Sequence, residues 1–250
     1  MAVFRLSPLR VRVFSTCHLR YRYQYVDKLQ ARLRVADTAG ALVHNVLYEF
    51  FGKLPRKERD RERLIAMFEE RWAALSPRYL RMEGIQELHD RNLSALQRFA
   101  EREDLGAEPF QVEAYVQVPI APEVILFGRM DRIDEEPDKT LHIIDYKTGA
   151  HPGDVDPSQL HLYAIMVERK LERTVSRASF WYLDDGSVWT TALTSSDKKQ
   201  ALAGALATVK DMEREKKFKP NVAPHCAGCP YLYTCEVREE IAQRRQAEGW

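Results

Sequence analysis

The sequence predicts a mixed α/β fold, and three observations carry that reading. Apolar residues recur at helical spacing through the first hundred positions. Three alternating or apolar runs then follow one another between turn signals. After these, helix-like and strand-like stretches alternate as far as residue 216. In order, Thr38 is placed to cap a helix over about residues 39–51, which would hold Gly40 and His44 one turn apart on one face. Residues 59–75 and 84–103, rich in Arg, Glu and Leu, predict two more helices. FQVEAYVQVPI (110–120), VILFGRMDRID (124–134) and TLHIIDYK (140–147) read as strands of an antiparallel meander, with turns at Ala121-Pro122 and Glu136-Pro137-Asp138. Asp156-Pro157-Ser158 opens a helix to about residue 170. Residues 177–183 and 188–193 are strands around Asp184-Asp185-Gly186, and 197–216 is a helix. Repeats, low-complexity segments and long linkers are absent, which predicts one domain over 1–250. It would have a basic, helical part at 1–105, a strand-rich core at 106–195 and a C-terminal segment at 196–250.

Composition narrows the class. Of the 250 residues, 45% are hydrophobic and 30% charged, enough to bury a core and too apolar for disorder. No run approaches 18 consecutive apolar residues, so no membrane partner is expected. Arginines interrupt the first 25 residues throughout, unlike a secretory signal, and a cytoplasmic location is expected. The net charge of +1 conceals an asymmetry. Residues 1–35 carry eight basic residues against one acid, a net +7, whereas residues 101–156 carry fourteen acids against five bases, a net −9. A basic face interleaved with tyrosines beside an acidic centre suggests a polyanion groove leading to a cation site.

The stretch LHIIDYKTG (141–149) sharpens this. Strand alternation puts Asp145 and Lys147 on one side and Tyr146 on the other. With the preceding hairpin centred near Pro137, Asp131 falls opposite Ile143 and diagonal to Asp145, close enough for both carboxylates to reach one ion. Two acids on a buried hairpin repel unless positive charge lies between them. Lys147 alone could supply it, but a divalent cation that leaves Lys147 free does so better.

GRMDRID (128–134) followed by IDYKTG (144–149) resembles the core of the PD-(D/E)XK nucleases, specifically the RecB-like branch. Gly40-x3-His44 resembles that branch's GxxxH metal-ligand motif, and Gln159-x3-Tyr163 its QxxxY motif. The resemblance spans about Ser15 to Cys235, with two departures. No proline precedes Asp131, and His18 stands where proline commonly follows the first cysteine. It implies a restriction-endonuclease-like core, a mixed central sheet with flanking helices.

The four cysteines are Cys17, Cys226, Cys229 and Cys235. A cytosolic chain does not keep disulfides, so a CxxC core with two further cysteines implies a metal or cluster. Zinc sites more often use two local pairs, whereas iron–sulfur clusters accept one remote and three clustered thiolates. The flanking residues also resemble the cluster-bearing RecB-like exonucleases, including CRISPR-associated ones and AddB-type nuclease domains. That implies a structural 4Fe-4S cluster joining the N- and C-terminal segments, with Zn²⁺ as the alternative.

The resemblance implies a metal-dependent deoxyribonuclease, most readily a single-stranded DNA exonuclease in DNA repair, recombination or CRISPR adaptation. His44, Asp131, Asp145 and the Tyr146 carbonyl would hold Mn²⁺ or Mg²⁺, and Lys147 would act with Asp131 and Asp145 in catalysis. Gln159 and Tyr163 would position substrate, and Arg20, Arg22 and Tyr21 would contact DNA. Glu113, on the first strand, is a further candidate for the same site. The alternative function is a DNA-binding or assembly module that keeps the nuclease fold for its surface, beside an integrase or helicase partner.

Overall fold

The computed structural model describes residues 3–32 and 34–250. In chain order its elements are β1 (Phe4–Leu6), α1 (Pro8–Thr16), α2 (His18–Tyr21), a π-helical turn (Arg22–Val26), α3 (Val35–Gly52), α4 (Arg61–Ala73), α5 (Pro77–Leu80) and α6 (Ile85–Arg102). The strand-rich part follows, with β2 (Gln111–Ala121), β3 (Val124–Glu135), β4 (Leu141–Lys147), α7 (Ser158–Leu171), β5 (Val175–Tyr182) and β6 (Ser187–Ala192). The chain ends in α8 (Ser195–Arg214) and α9 (Arg238–Glu248). The described residues form two compact units, 3–5 with 35–202 and 6–34 with 203–250. The grouping thus differs from the three-part reading of the sequence. The basic N-terminal stretch joins the cysteine-bearing C-terminal segment, and the helices after residue 35 join the sheet.

The larger unit is a mixed α/β assembly. Its six-stranded sheet has the order β1-β3-β4-β5-β6, with β2 paired to β3. The pairs β2–β3, β3–β4 and β5–β6 are antiparallel, whereas β4–β5 is parallel, and α7 supplies the crossover a parallel step requires. Helix α7 packs on β2, β3, β4 and β5. Helices α3, α4 and α6 pack together around Val43, Phe50, Phe68, Leu96 and Phe99, and this cluster takes in Ile144 and Tyr146 of β4. Both faces of β4 are therefore covered, and six of its seven residues are buried. Local signals agree with these elements. The Asp60 side chain caps α4 by accepting from the Arg63 amide at 2.7 Å, and α6 starts from Gly84 in a left-handed conformation, φ 74°.

The β3–β4 hairpin departs from the expected register. Its turn closes through Glu136 N–H to Thr140 O (2.9 Å) and Lys139 N–H to Glu136 O, with Lys139 left-handed, so it is centred on Asp138. Ile143 consequently pairs with Ile133, not Asp131, and pairing ends at Arg132↔Ile144. Asp131 and Asp145 occupy the next facing positions.

The smaller unit is built around aromatic rings. Ser7 caps α1 with Pro8 at its first position. Phe14 stacks on His18 with centroids 4.0 Å apart, and His18 Nδ1 lies 2.5 Å from Glu215 Oε2. Leu19, Tyr23 and Tyr231 form a buried cluster against Cys17, Cys229 and Cys235.

The sheet also contains a titratable group that works against folding in acid. His142 on β4 is 5% exposed and hydrogen-bonded to Ser179 Oγ at 2.7 Å. Burial first, then the charge of Arg177, push its imidazole down from 6.5 to about 4, even though Asp134 pulls the other way. Because the folded pKa lies below the unfolded one, full stability is present above pH 6.5. It is lost as pH falls towards 4, where the unfolded chain binds the proton that the folded chain refuses. The loss amounts to about 3 kcal/mol. Urea unfolding at several pH values should show a shallower decline between pH 6.5 and 4 for His142→Gln than for the wild type. Parallel curves would refute the assignment.

Candidate metal centre

The site begins with a break in the β2–β3 ladder. Pairing runs Val112↔Arg132 and resumes at Ala114↔Met130, so Glu113 and Asp131 face each other at the gap, and Glu113 is left-handed with φ 49°. The break swaps the faces of both strands. Beyond it, Gly128 faces α7, where an added Cβ would come within 2.9 Å of Tyr163 Cε1 and 2.8 Å of Met166 Cε. On the near side, Val112 touches α3 at Gly52, and the Arg132 guanidinium lies 4.7 Å from the centre of the Phe51 ring. Strand periodicity alone would place all of these even-numbered residues on one face.

Helix α3 brings His44 to this break. One turn earlier, Gly40 leaves room for Thr148 beyond β4, since a Cβ there would lie 2.9 Å from Thr148 Oγ1. His44 Nδ1 sits 3.2 Å from Asp131 Oδ1, and Asp131 Oδ2 accepts the Tyr146 N–H at 2.7 Å. His44, Glu113 and Asp131 each offer a ligand atom, and these atoms lie within 4.8 Å of one another. One imidazole and two carboxylates are a donor set suited to a divalent ion with oxygen preference. Arg129 Nη1 holds Glu113 Oε2 at 3.2 Å.

Asp145 and Lys147 lie on the side of β4 opposite Tyr146. Lys147 Nζ is 2.5 Å from Asp145 Oδ2, while the Tyr146 ring packs edge-on against Phe99. Gln159, from the first turn of α7, ties the pair together. Its amide donates to Asp145 Oδ1 at 2.8 Å and to Tyr163 OH at 2.9 Å, and its carbonyl accepts from Lys147 Nζ at 3.1 Å. The structure thus brings His44, Asp131 and Glu113 into one group and Asp145, Lys147, Gln159 and Tyr163 into a chain beside it.

The electrostatics have one sign. Burial raises the Asp145 carboxyl above its ordinary value, the Asp131 charge adds to this, and Lys147 opposes it. Burial, then Asp131, raises Glu113. For His44 burial works against the imidazolium, but the hydrogen bond and charge of Asp131, with Asp145 and Glu113 behind it, outweigh burial and raise the group. All three shifts favour proton uptake, the response of a site that is short of positive charge.

Glu113 is more central than its place in the sequence suggested. A strand glutamate looks solvent-facing, and nothing in the sequence marks a left-handed backbone there. The expected DNA contacts fare differently. Tyr21 is 4% exposed, edge-on to Phe14 (5.0 Å) and stacked on Phe218 (6.5 Å), so it packs the core instead of offering a face to a base. Arg22 Nε pairs with Asp27 at 3.0 Å, and Arg20 Nε is buried without a hydrogen-bond partner. Arg20 lines a cavity in the smaller unit together with Cys17, Cys226, Cys229 and Cys235. All four thiols are free, and no three of their sulfurs come mutually within 4.8 Å. Burial pushes the Cys229 and Cys235 thiols up.

Among solved structures the chain resembles a candidate exonuclease from Eubacterium rectale at a TM-score of 0.57. The two are 12% identical, over 94% of this chain and 87% of that one. It also matches SSO0001, at a TM-score of 0.38 and 14% identity, over 92% and 95% of the respective chains. No curated protein matches it. The first likeness supports the fold alone. The sequence itself matches the PD-(D/E)XK nuclease profile over residues 5–236, nearly its whole length, and the chain belongs to the PD-(D/E)XK nuclease superfamily.

Proposed function

We propose that this protein is a divalent-metal-dependent deoxyribonuclease that degrades single-stranded DNA from an end. The observation that carries the reading is the group formed by His44, Glu113 and Asp131 within 4.8 Å, beside the Asp145–Lys147 pair. These residues suit Mn²⁺ or Mg²⁺, and the imidazole favours Mn²⁺. Asp145 and the Tyr146 carbonyl complete the proposed ligand set. A divalent ion bound there supplies an activated water and offsets charge on the phosphate.

The side chains do the rest. Gln159 fixes the Lys147 ammonium, which orients the attacking water and donates to the phosphoryl oxygens as negative charge builds on them. Tyr163, bonded to Gln159, keeps that amide in place. An activity of this kind would suit a role in DNA repair, recombination or CRISPR adaptation.

Incubation of the full chain with end-labelled linear, circular and duplex DNA tests this. Linear single strands should be degraded with Mn²⁺, more slowly with Mg²⁺, and not in EDTA, while circles persist. Lys147→Ala should lose about a hundredfold or more in rate while keeping its Mn²⁺ affinity. Full activity in EDTA, or an active Lys147→Ala, would sink the mechanism. Circles cut as fast as linear strands would sink the exonuclease.

We infer that the four cysteines hold a structural 4Fe-4S cluster. Cys17, Cys226, Cys229 and Cys235 all line one cavity of the smaller unit, a placement that suits one group shared by four thiolates. The buried Arg20 Nε without a hydrogen-bond partner suits an anionic cluster of four thiolates. Hydrolysis needs no electrons, so the cluster joins chain segments and takes no part in the reaction. Protein purified without air should be brown, with about four irons per chain, and Cys17→Ala should lose both iron and stability. A colourless protein with one zinc per chain would overturn this.

A further inference from the structure

Beyond the break at Glu113 and Asp131, the β2–β3 hairpin has two unlike faces. Its even-numbered residues are buried, Val116 and Val118 at 4% exposure and Leu126 and Met130 at 0%, and both strands contact α7. Among the described residues its odd-numbered face is the exposed one, with Tyr115, Gln117, Pro119 and Arg129 open to solvent. There the ladder sets Tyr115 opposite Arg129 and Gln117 opposite Phe127. Tyr115 is 52% exposed and Phe127 half-buried, with ring centroids 6.4 Å apart and planes inclined by 45°.

Arg5 is built into the same patch. Its Nη2 donates to Tyr115 OH at 3.0 Å and to Gln117 Oε1 at 3.2 Å, and its guanidinium lies 4.9 Å from the centre of the Phe127 ring. Two neutral groups and a ring therefore orient an exposed cation beside two aromatic faces. Arg129 stands between this patch and the acids, bonded to Glu113. Glu113 and Asp131 are the next odd-numbered positions, so the face runs without interruption into the candidate metal centre. Strand rise puts Phe127 about 13 Å from Asp131 along the hairpin.

We propose that this face is the track along which single-stranded DNA enters the site, with bases stacked on Tyr115 and Phe127 and phosphates held by Arg5 and Arg129. The proposal rests on the nuclease reading above and assigns its substrate path. Aromatic rings bind unpaired bases without regard to sequence, and guanidinium groups bind phosphates. A duplex keeps its base faces stacked inside and gains little from such rings. The patch offers DNA the open aromatic faces that the buried Tyr21 does not.

The test measures anisotropy of labelled oligothymidylate on the full chain with Ca²⁺ in place of Mn²⁺, beside an abasic strand of equal length. Tyr115→Ala with Phe127→Leu should weaken oligothymidylate tenfold or more and the abasic strand far less, the latter only through the loosened Arg5. Arg5→Gln should weaken both and lower the salt slope by about one. Melting curves verify that the variants fold. Cross-linking of a bromouracil strand to Tyr115 or Phe127 in the unaltered chain gives a readout independent of any variant. Unchanged binding by the double variant, no binding by the wild type, tighter binding of blunt duplex, or no cross-link to either ring would each overturn the track. Cleavage with unchanged variant binding would remove the track and leave the nuclease. Weakened variant binding in a chain that cleaves nothing would keep the track and remove the nuclease.

Discussion

Everything around the candidate site answers one constraint, the mutual repulsion of carboxylates held on neighbouring strands. Glu113, Asp131 and Asp145 occupy facing positions on β2, β3 and β4, at a point where α3 covers one side and α7 the other. At the low effective dielectric of such a place, like charges a few ångströms apart oppose folding. The fold meets each one separately. Asp131 takes the Tyr146 N–H and His44, Asp145 takes Lys147 and Gln159, and Glu113 takes Arg129. These partners reduce the repulsion without abolishing it, since Asp145, Glu113 and His44 all still shift towards protonation. A site left short of positive charge inside an otherwise stable sheet is what a cation-binding centre requires.

Much of this was legible before the structure. Alternation gave the three strands of the meander nearly to the residue, and the period of two correctly separated Asp145 and Lys147 from Tyr146. The expected turn centre lies one position early, at Pro137, whose fixed φ suits an early turn position, and this puts the expected pairing two residues out. The left-handed residue that closes the turn is Lys139, and nothing in its side chain announces that. The consequence matters for the site, because the shift moves Asp131 from a diagonal to a facing relation with Asp145. Glu113 was less visible for a related reason. A backbone excursion to positive φ by a glutamate depends on its partners, here Asp131, Arg129 and His44, and these are remote in sequence.

The tyrosines show a different limit. Tyr21, Tyr23 and Tyr25 alternate in sequence, a pattern that in a strand puts all three on one exposed face. The chain is helical there, so a spacing of two turns each ring about 200° from the last. Tyr21 and Tyr25 meet at 5.2 Å on one side, and Tyr23 goes to the other, where it meets Tyr231 at 5.8 Å. Of the arginines of the same stretch, Arg20 has a buried Nε, whereas Arg22 stays partly exposed and pairs with Asp27. Composition identified a basic, aromatic segment correctly, but composition does not say which way a residue points.

The break at Glu113 links the site to the surface beside it. A regular ladder would keep Val112, Ala114 and Val116 on one face, and the hairpin could then serve α3 or α7 but not both. Reversing the faces at a single position lets Val112 pack on α3 while Ala114 and Val116 are buried on the other side. A left-handed non-glycine residue costs on the order of 1 kcal/mol or more, and burial on two fronts offsets it. The same reversal leaves the odd-numbered residues Tyr115, Gln117 and Arg129 of the outer hairpin exposed, directly beyond the carboxylates. A hairpin covered on both sides along its whole length would close the approach to its acids, and an unbroken one would lack α3 and His44. The strained residue is therefore what allows one hairpin to carry a closed core, a candidate metal-binding corner and an exposed face leading to it.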